Sequence, residues 1–366
     1  MHIISSLFKR SKSADTVSDF PAWRMGLSSA TSWSWGVSIA LGMHFMHVFG
    51  VWPALAWMVG NTLALPLLGA IRHYLPSSRY WTNISILYLL FAFMEFMALG
   101  LNLTATQNAL SGNLFNTTLP SFSYISADVS AWVAMGIGIS IVFYIHRYGF
   151  RGSVLTDIGQ YAVQLVAVFL LAVTAIALGD STDLPLVTEK GESWWLFGFF
   201  GIFVGALSHF QQHQRFESLG NSNNLRIGLW GGFFFGLYMS LVFVSGFFFS
   251  NHFLLGFLYL IVILAVATST MDSAVAGMQR IAVKFYLPYW VGSLVALITV
   301  ILWPLMQGKT LDSLFNIMAS VRLPILITLV GLTILYEIFK RRGVVAHPQN
   351  FLSFGRKIGF ILKERP

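Results

Sequence analysis

The sequence predicts an all-α polytopic membrane protein of ten transmembrane helices, on three observations. Of 366 residues, 56% are hydrophobic and only 10% charged, and the mean hydropathy is +0.71. A soluble domain carries about a quarter charged residues, because its surface must stay wet. Apolar runs of about 20 residues recur along the whole chain, each long enough to cross the ~30 Å hydrocarbon core as a helix. Lipid offers no partner for backbone N–H and C=O groups, so helices that satisfy their own are the default. The third observation is the placement of Lys and Arg, which alternates along the chain as spans do.

The spans fall at 28–50, 52–72, 80–104, 128–147, 153–179, 194–215, 226–250, 252–284, 287–306 and 311–339. Polar breaks separate them: Pro76-Ser77-Ser78, the Asn/Thr/Ser-rich 105–127, the acidic 180–193 and Asn221-Ser222-Asn223-Asn224. The loop 105–127 includes Leu114, Phe115 and Tyr124, which suit a segment folded back over the bundle. Residues 1–27 read as a cytoplasmic interfacial segment, since the apolar stretch before Lys9, Arg10 and Lys12 is too short for a signal peptide. The basic 343–366, with apolar residues at helical spacing, reads as a cytoplasmic tail lying on the membrane surface.

With the N-terminus inside, 19 of the 22 Lys and Arg fall in cytoplasmic segments, among them Arg72, Arg79, Arg147, Arg151, Arg215, Arg226, Arg280 and Lys284. The outer loops hold Lys190 and Lys309, and Arg322 lies inside the tenth span. Miscounting one span would scramble the alternation after it, so ten spans with both termini cytoplasmic follow from the positive-inside rule. The net charge of +8 is thereby assigned to the membrane surface rather than to nucleic acid. There are no cysteines, which excludes disulfides and thiolate metal sites. Phosphate loops, zinc-protease helices and nucleophile elbows are absent from the sequence, so it does not read as an enzyme.

An even division gives two five-helix halves, 28–179 and 194–339, in opposite orientation. Inverted repeats of this kind are a common transporter architecture, with ligands bound near the midplane where helices are broken. The first helix of one half carries Gly36 and Gly42, and that of the other carries Gly198, Gly201 and Gly205. Glycine weakens a helix and lets carbonyls turn toward a ligand. The ordinary alternative is close helix packing. No repeat is visible at the level of residue identity.

Several segments resemble the sodium:solute symporter family, whose core is the LeuT-type fold. Thr268-Ser269-Thr270-Met271-Asp272-Ser273 in the eighth span is similar to the family's Ser-Thr-Leu-Asp-Ser stretch. The run from Tyr148-Gly149-Phe150-Arg151 through Thr156-Asp157-Ile158-Gly159-Gln160 resembles the family's entry into the fifth core helix. Gln211 through Arg215 is similar to a Gln-rich exit of the sixth helix, and Ser29-Ala30-Thr31-Ser32-Trp33-Ser34-Trp35-Gly36 to the start of the first. Ser313-Leu314-Phe315 fits the entry to the tenth. The resemblance touches most of the chain in the expected order and implies a ten-helix core without the family's flanking helices. Leu155 stands where the family has Trp, and Ser32 where some relatives are acidic.

The resemblance implies a sodium-coupled symporter of a small organic solute working by alternating access, a multi-pass protein of the bacterial inner membrane. Its partners would be the solute, sodium and lipid, and it would use no cofactor beyond the coupling ion. Sodium, a hard cation, takes about six oxygens. By the resemblance these come from the hydroxyls of Ser269 and Thr270, backbone carbonyls of Ala30 and Trp33, and a nearby Asp157 carboxylate. The alternatives are interhelical hydrogen bonding for the hydroxyls and a helix-start acidic residue for Asp157. A rival reading is a non-transporting sensor or scaffold subunit that keeps the fold.

Glu95, Asp272 and Arg322 are ionisable at membrane depth, where each needs a partner or a wet cavity. Glu95 with Arg322 could gate the substrate path or fix helix register. Asp272, two residues after Thr270, points away from that hydroxyl and reads as structural or cytoplasmic-gate chemistry. His44 and His47, and His209 and His213, share helix faces, but no Cys or acidic residue supports a metal site; ordinary polar contacts are the favoured reading, with His44 and His209 as cavity candidates. Trp33, Trp35, Phe45 and Phe210 could stack on substrate. Asn83, Asn102 and Asn116 begin sequons that read as chance, two of them in or near spans.

Overall fold

The computed structural model describes residues 14–36, 46–47, 49–75, 85–112, 125–178, 184–189, 205–248, 252–306, 320–321, 324–331, 333–336 and 338. His44, Phe45, Arg322, Ser313-Leu314-Phe315, most of the loop 105–127 and the tail 343–366 lie outside them. The described residues form helices and turns: α1 (Ala22–Trp33), α2 (Val51–Tyr74), α3 (Ser85–Ser111), α4 (Ala127–Leu178), α5 (Phe210–Glu217), α6 (Asn224–Phe247), α7 (Phe253–Lys284) and α8 (Tyr289–Leu302). A shorter apolar helical stretch follows at Pro324–Tyr336. Among the described helices five, α2, α3, α4, α6 and α7, are long and apolar enough to cross a membrane. The chain is an integral membrane protein.

The 52 residues of α4 would extend about 78 Å if straight, more than twice the hydrocarbon core. Gly149 breaks them with φ 57° and ψ −152°, a conformation that a Cβ would oppose. Contacts show that the chain reverses there. In the second arm Thr156, Gln160 and Gln164 meet Asp272, Thr268 and Ala265 in turn, so that arm runs antiparallel to α7. In the first arm, His146 meets Ser293 while Gly138 packs on Val300, so it runs antiparallel to α8. Because α8 itself folds back on α7, with Gly292 against Met278 and Gln279, the two arms oppose each other. They match the predicted spans 128–147 and 153–179, and the reversal at Gly149 falls in the gap left between them.

The second arm is inside out by the standard of a soluble helix. Val163, Val166, Phe169, Leu170, Val173 and Ile176 are exposed, while Asp157, Tyr161 and Gln164 are buried. The outer surface is the one that lipid would cover, and polar groups gather within. At the centre, α7 buries side chains on nearly every face. On one side of it α6 packs against α2 with backbones nearly touching: a Cβ at Gly228 would stand 2.7 Å from the Leu65 carbonyl, and one at Gly69 would stand 2.7 Å from that of Asn224. Such small-residue contacts are how helices associate without a hydrophobic drive between them.

The third helix departs from expectation. It was expected to end at 104, but α3 continues to Ser111. Its polar side chains turn back onto the helix's own carbonyls, Asn102 Nδ2 to Ala98, Thr104 Oγ1 to Gly100 and Thr106 Oγ1 to Asn102, so they do not open the backbone.

Candidate functional site

The site is built where two helices stop within the bundle. Residues 28–33 of α1 are buried, and the helix ends because Ser34 is extended, with φ −75° and ψ 100°. Its backbone N–H and Oγ both return to the Ala30 carbonyl, at 3.0 and 2.9 Å. Beyond the break, the freed N–H of Gly36 donates to Asn102 Oδ1 at 3.0 Å, tying the unwound segment to α3. The second break precedes α5: a 3₁₀ turn, Gly205–Ser208, leads into His209 with φ −109° and ψ 116°. Among the described residues, the predicted spans 28–50 and 194–215 thus each contain non-helical backbone, at Ser34-Trp35 and at His209, near the residues that resemble the family motifs.

The two breaks meet. His209 is buried with its ring edge-on to Trp33 at 5.5 Å and to Trp35 at 4.8 Å. The side chain of Gln212 bridges the same elements, taking the Ser29 hydroxyl at 2.5 Å and donating to Ser32 Oγ at 3.1 Å. Behind α5, the Arg72 guanidinium donates to His213 Nδ1 at 2.8 Å and to Glu217 Oε1 at 2.9 Å. With Nδ1 accepting, the imidazole carries its proton on Nε2 and donates to the Leu207 carbonyl at 2.8 Å. A helix end thereby gains a fixed partner on α2.

Of the expected ion ligands, Ser269 and Thr270 lie on α7 facing α1 and α4. Thr270 Oγ1 donates to the Ser34 carbonyl at 3.1 Å, a hydroxyl meeting unwound backbone. Ser269 Oγ donates to Asp157 Oδ1 at 2.6 Å. Ala30 and Trp33 sit in the last turn of α1, and the Ala30 carbonyl is engaged by Ser34. Asp157 is fully buried in the second arm of α4, where Oδ2 accepts from Ser28 Oγ and from Arg215.

Arg215 is the residue to which the sequence reading gave no role beyond its motif. Its place in the charge map is a loop end, yet its side chain and that of Arg72 are each 1% exposed. Arg215 forms a 2.7 Å ion pair with Asp157 from α5. It also donates to Ser28 Oγ, Ser273 Oγ and the Gln211 carbonyl at 2.8, 2.7 and 3.0 Å. One guanidinium therefore joins α1, α4, α5 and α7. The sequence held no signal to single it out, since a basic residue at the end of an apolar run reads alike whether it faces water or turns inward.

Asp272 points into the same polar layer, one step further along α7. It accepts from Ser153 Oγ at 2.8 Å, Thr156 Oγ1 at 2.7 Å and Ser273 Oγ at 3.1 Å, which fastens α7 to the start of the second arm of α4. Glu95, buried on α3, holds the start of α5 by accepting the Gln211 N–H at Oε1, 3.1 Å away. Its suggested partner Arg322 lies outside the described residues, as does His44. Phe210 packs away from the breaks, against Tyr88 and Phe91 with ring centroids 5.8 and 5.7 Å apart. Among the described residues no group of three His, Asp or Glu is placed to hold a metal ion. Buried Asn102, the sequon residue of α3, spends its side chain on Gly36 and Ala98.

Neither a family model nor a curated protein matches the sequence. Solved structures do match in fold. A sodium-coupled sialic acid symporter, in a substrate-bound outward-open state, superposes with a TM-score of 0.63 at 13% identity, covering 91% of this chain and 85% of that one. A manganese transporter of Eremococcus coleocola gives a TM-score of 0.51 at 15% identity, over 86% of this chain and 77% of that one. The chain has a membrane-transporter fold. These neighbours are transporters rather than enzymes.

Proposed function

We propose that the protein is a secondary transporter that moves a small organic solute by alternating access, with sodium as coupling ion. The observation that carries this reading is the meeting of two helix breaks, Ser34-Trp35 and His209, at buried, polar positions in the bundle. Broken backbone at membrane depth is tolerated where it is buried in protein or lines a cavity, and transporters place their ligand sites at such breaks. The breaks fall in the first helix of each predicted half, which supports the ten-span, five-plus-five LeuT-type arrangement with cytoplasmic termini.

Sodium would be held by the hydroxyls of Ser269 and Thr270, the carbonyls of Ala30 and Trp33, and the nearby Asp157 charge. The support is the approach of Thr270 to the unwound Ser34 carbonyl and of Ser269 to Asp157. Coupling requires that the ion bind one state better than the other. Here Arg215 supplies the difference: it pairs with Asp157 in this arrangement, and a cation beside Ser269 shares that carboxylate or displaces the guanidinium. The same pair favours a second reading, a sensor or scaffold subunit held in one state.

The test is the binding of radiolabelled sodium to the purified full chain. Displacement by unlabelled sodium but not by potassium, weakened at least tenfold in Ser269→Ala, Thr270→Ala or Asp157→Asn, is the expected result. Binding unchanged in all three removes the site. Sodium binding without solute accumulation in proteoliposomes, across a broad solute panel, favours the sensor.

A further inference from the structure

We propose that Glu95 and Gln211 form the subsite that takes a positively charged amine of the solute; this rests on the transport reading above. Both side chains are fully buried beside the second helix break. Glu95 Oε1 accepts the Gln211 N–H at 3.1 Å, which brings the two residues together and leaves Oε2 buried with no hydrogen-bond partner. The carboxamide of Gln211 is likewise buried, with neither its oxygen nor its nitrogen partnered. Trp33 adds a buried indole N–H without an acceptor, and its ring stands against His209, two residues from Gln211.

Native proteins rarely leave a carboxylate oxygen and a whole carboxamide buried and unsatisfied on two residues in contact, and each such group asks for an explanation. The local guanidinium does not supply one, since Arg215 is committed to Asp157, Ser28, Ser273 and the Gln211 carbonyl. Across from Glu95, α7 presents Gly277: a Cβ there would lie 3.1 Å from the carboxyl carbon, so a larger residue would crowd the acid.

The unpartnered atoms define the ligand's chemistry. Glu95 Oε2 and Gln211 Oε1 are two acceptors, one of them on a carboxylate with no ion pair among the described residues. An ammonium has the matching donors and a charge that pairs directly with Oε2, whereas a neutral hydroxyl leaves the acid without an ion pair among the described residues. A hard metal cation would want more oxygens than these two side chains offer. A proton would answer Oε2 and leave the carboxamide as it is. The Gln211 nitrogen and the Trp33 indole donate, which suits a hydroxyl or carbonyl elsewhere on the same solute.

The experiment is a thermal-shift and calorimetric comparison on the purified full chain. Its probes are n-butylamine, ethanolamine, putrescine and phenethylamine, each paired with the alcohol of the same shape. At least one amine should raise the unfolding temperature where its alcohol does not. Glu95→Gln should reduce that affinity at least tenfold, since the amide keeps an acceptor for the Gln211 N–H while losing the charge. Gln211→Met, which leaves Glu95 in place, should reduce it about threefold or more. If no amine is distinguished from its alcohol, or Glu95→Gln binds as the parent does, the subsite is wrong. Stability that responds to pH but to no amine would make Glu95 a proton carrier and equally overturn it. Amine binding without accumulation in proteoliposomes keeps this subsite and sinks the transport reading; accumulation of a neutral solute, with indifference to amines, does the reverse.

Discussion

Arg215 and Asp157 meet at 2.7 Å with both side chains sealed from solvent, although 58 positions separate them in the chain. The guanidinium uses Nε and both Nη nitrogens, on Ser28, Gln211, Asp157 and Ser273. The carboxylate is equally committed, Oδ1 to Ser269 and Oδ2 to Ser28 and Arg215. Removing one member strands the other in a medium of low dielectric, and breaking a buried pair this way costs about 3–5 kcal/mol.

Arg215→Met and Asp157→Asn should therefore each lower the unfolding temperature in detergent markedly. The double variant should lose less than the sum of the two, because neither charge is then left alone. Strict additivity would mean that the pair is not coupled in the folded protein.

A second expectation concerns the contact of α2 with α6. Gly228→Ala places a methyl 2.7 Å from the Leu65 carbonyl and 3.0 Å from the Gly69 Cα, both rigid backbone atoms. Overpacking of that kind costs about 1–3 kcal/mol. Gly159 is the control, since a Cβ there meets nothing within 4 Å. Gly159→Ala should be neutral or stabilise by up to about 1 kcal/mol, as alanine suits a helix better. Equal unfolding temperatures for the two variants would show that the helices do not approach so closely.

Much of this architecture was legible in the sequence because hydropathy and charge are local. The expected span 52–72 is α2, Val51–Tyr74, and 252–284 is α7, Phe253–Lys284, while the reversal in α4 lies between the expected spans 128–147 and 153–179. The end of α3 was misjudged because a run of Asn and Thr reads as a break, yet each side chain can spend its polarity on its own helix. The partners of Arg72 and Arg215 were not legible. A basic residue at the end of an apolar run looks the same whether it faces water or turns inward, and only packing against His213 or Asp157 tells the two apart. Glu95 was recognisable as costly at membrane depth, but its contact with the first turn of α5 joins residues 116 positions apart.

The last expectation is a pH dependence at the N-terminal segment. Arg151, just beyond the Gly149 reversal, holds Asp19 with two hydrogen bonds of 2.7 and 2.9 Å. It also donates from its side chain to the Thr16 carbonyl and from its backbone to that of Ala14, so residues 14–20 are clasped to the turn of α4. The hydrogen bond from Arg151 holds the Asp19 carboxyl below its ordinary value. A group with a depressed folded-state pKa contributes its share above its unfolded pKa and loses it as pH falls through the folded one. The clasp should accordingly be intact at neutral pH and loosen only below the usual carboxylate range. Both partners are partly exposed, so salt should weaken the clasp as well. Hydrogen exchange at the Phe20 amide, which donates to the Val17 carbonyl within the clasped segment, provides the readout. Exchange there should quicken in acid beyond its intrinsic rate, and Asp19→Asn should show the fast rate already at neutral pH with no further response to acid. If that variant protects the segment as the parent does, the backbone contacts of Arg151 hold it without the carboxylate.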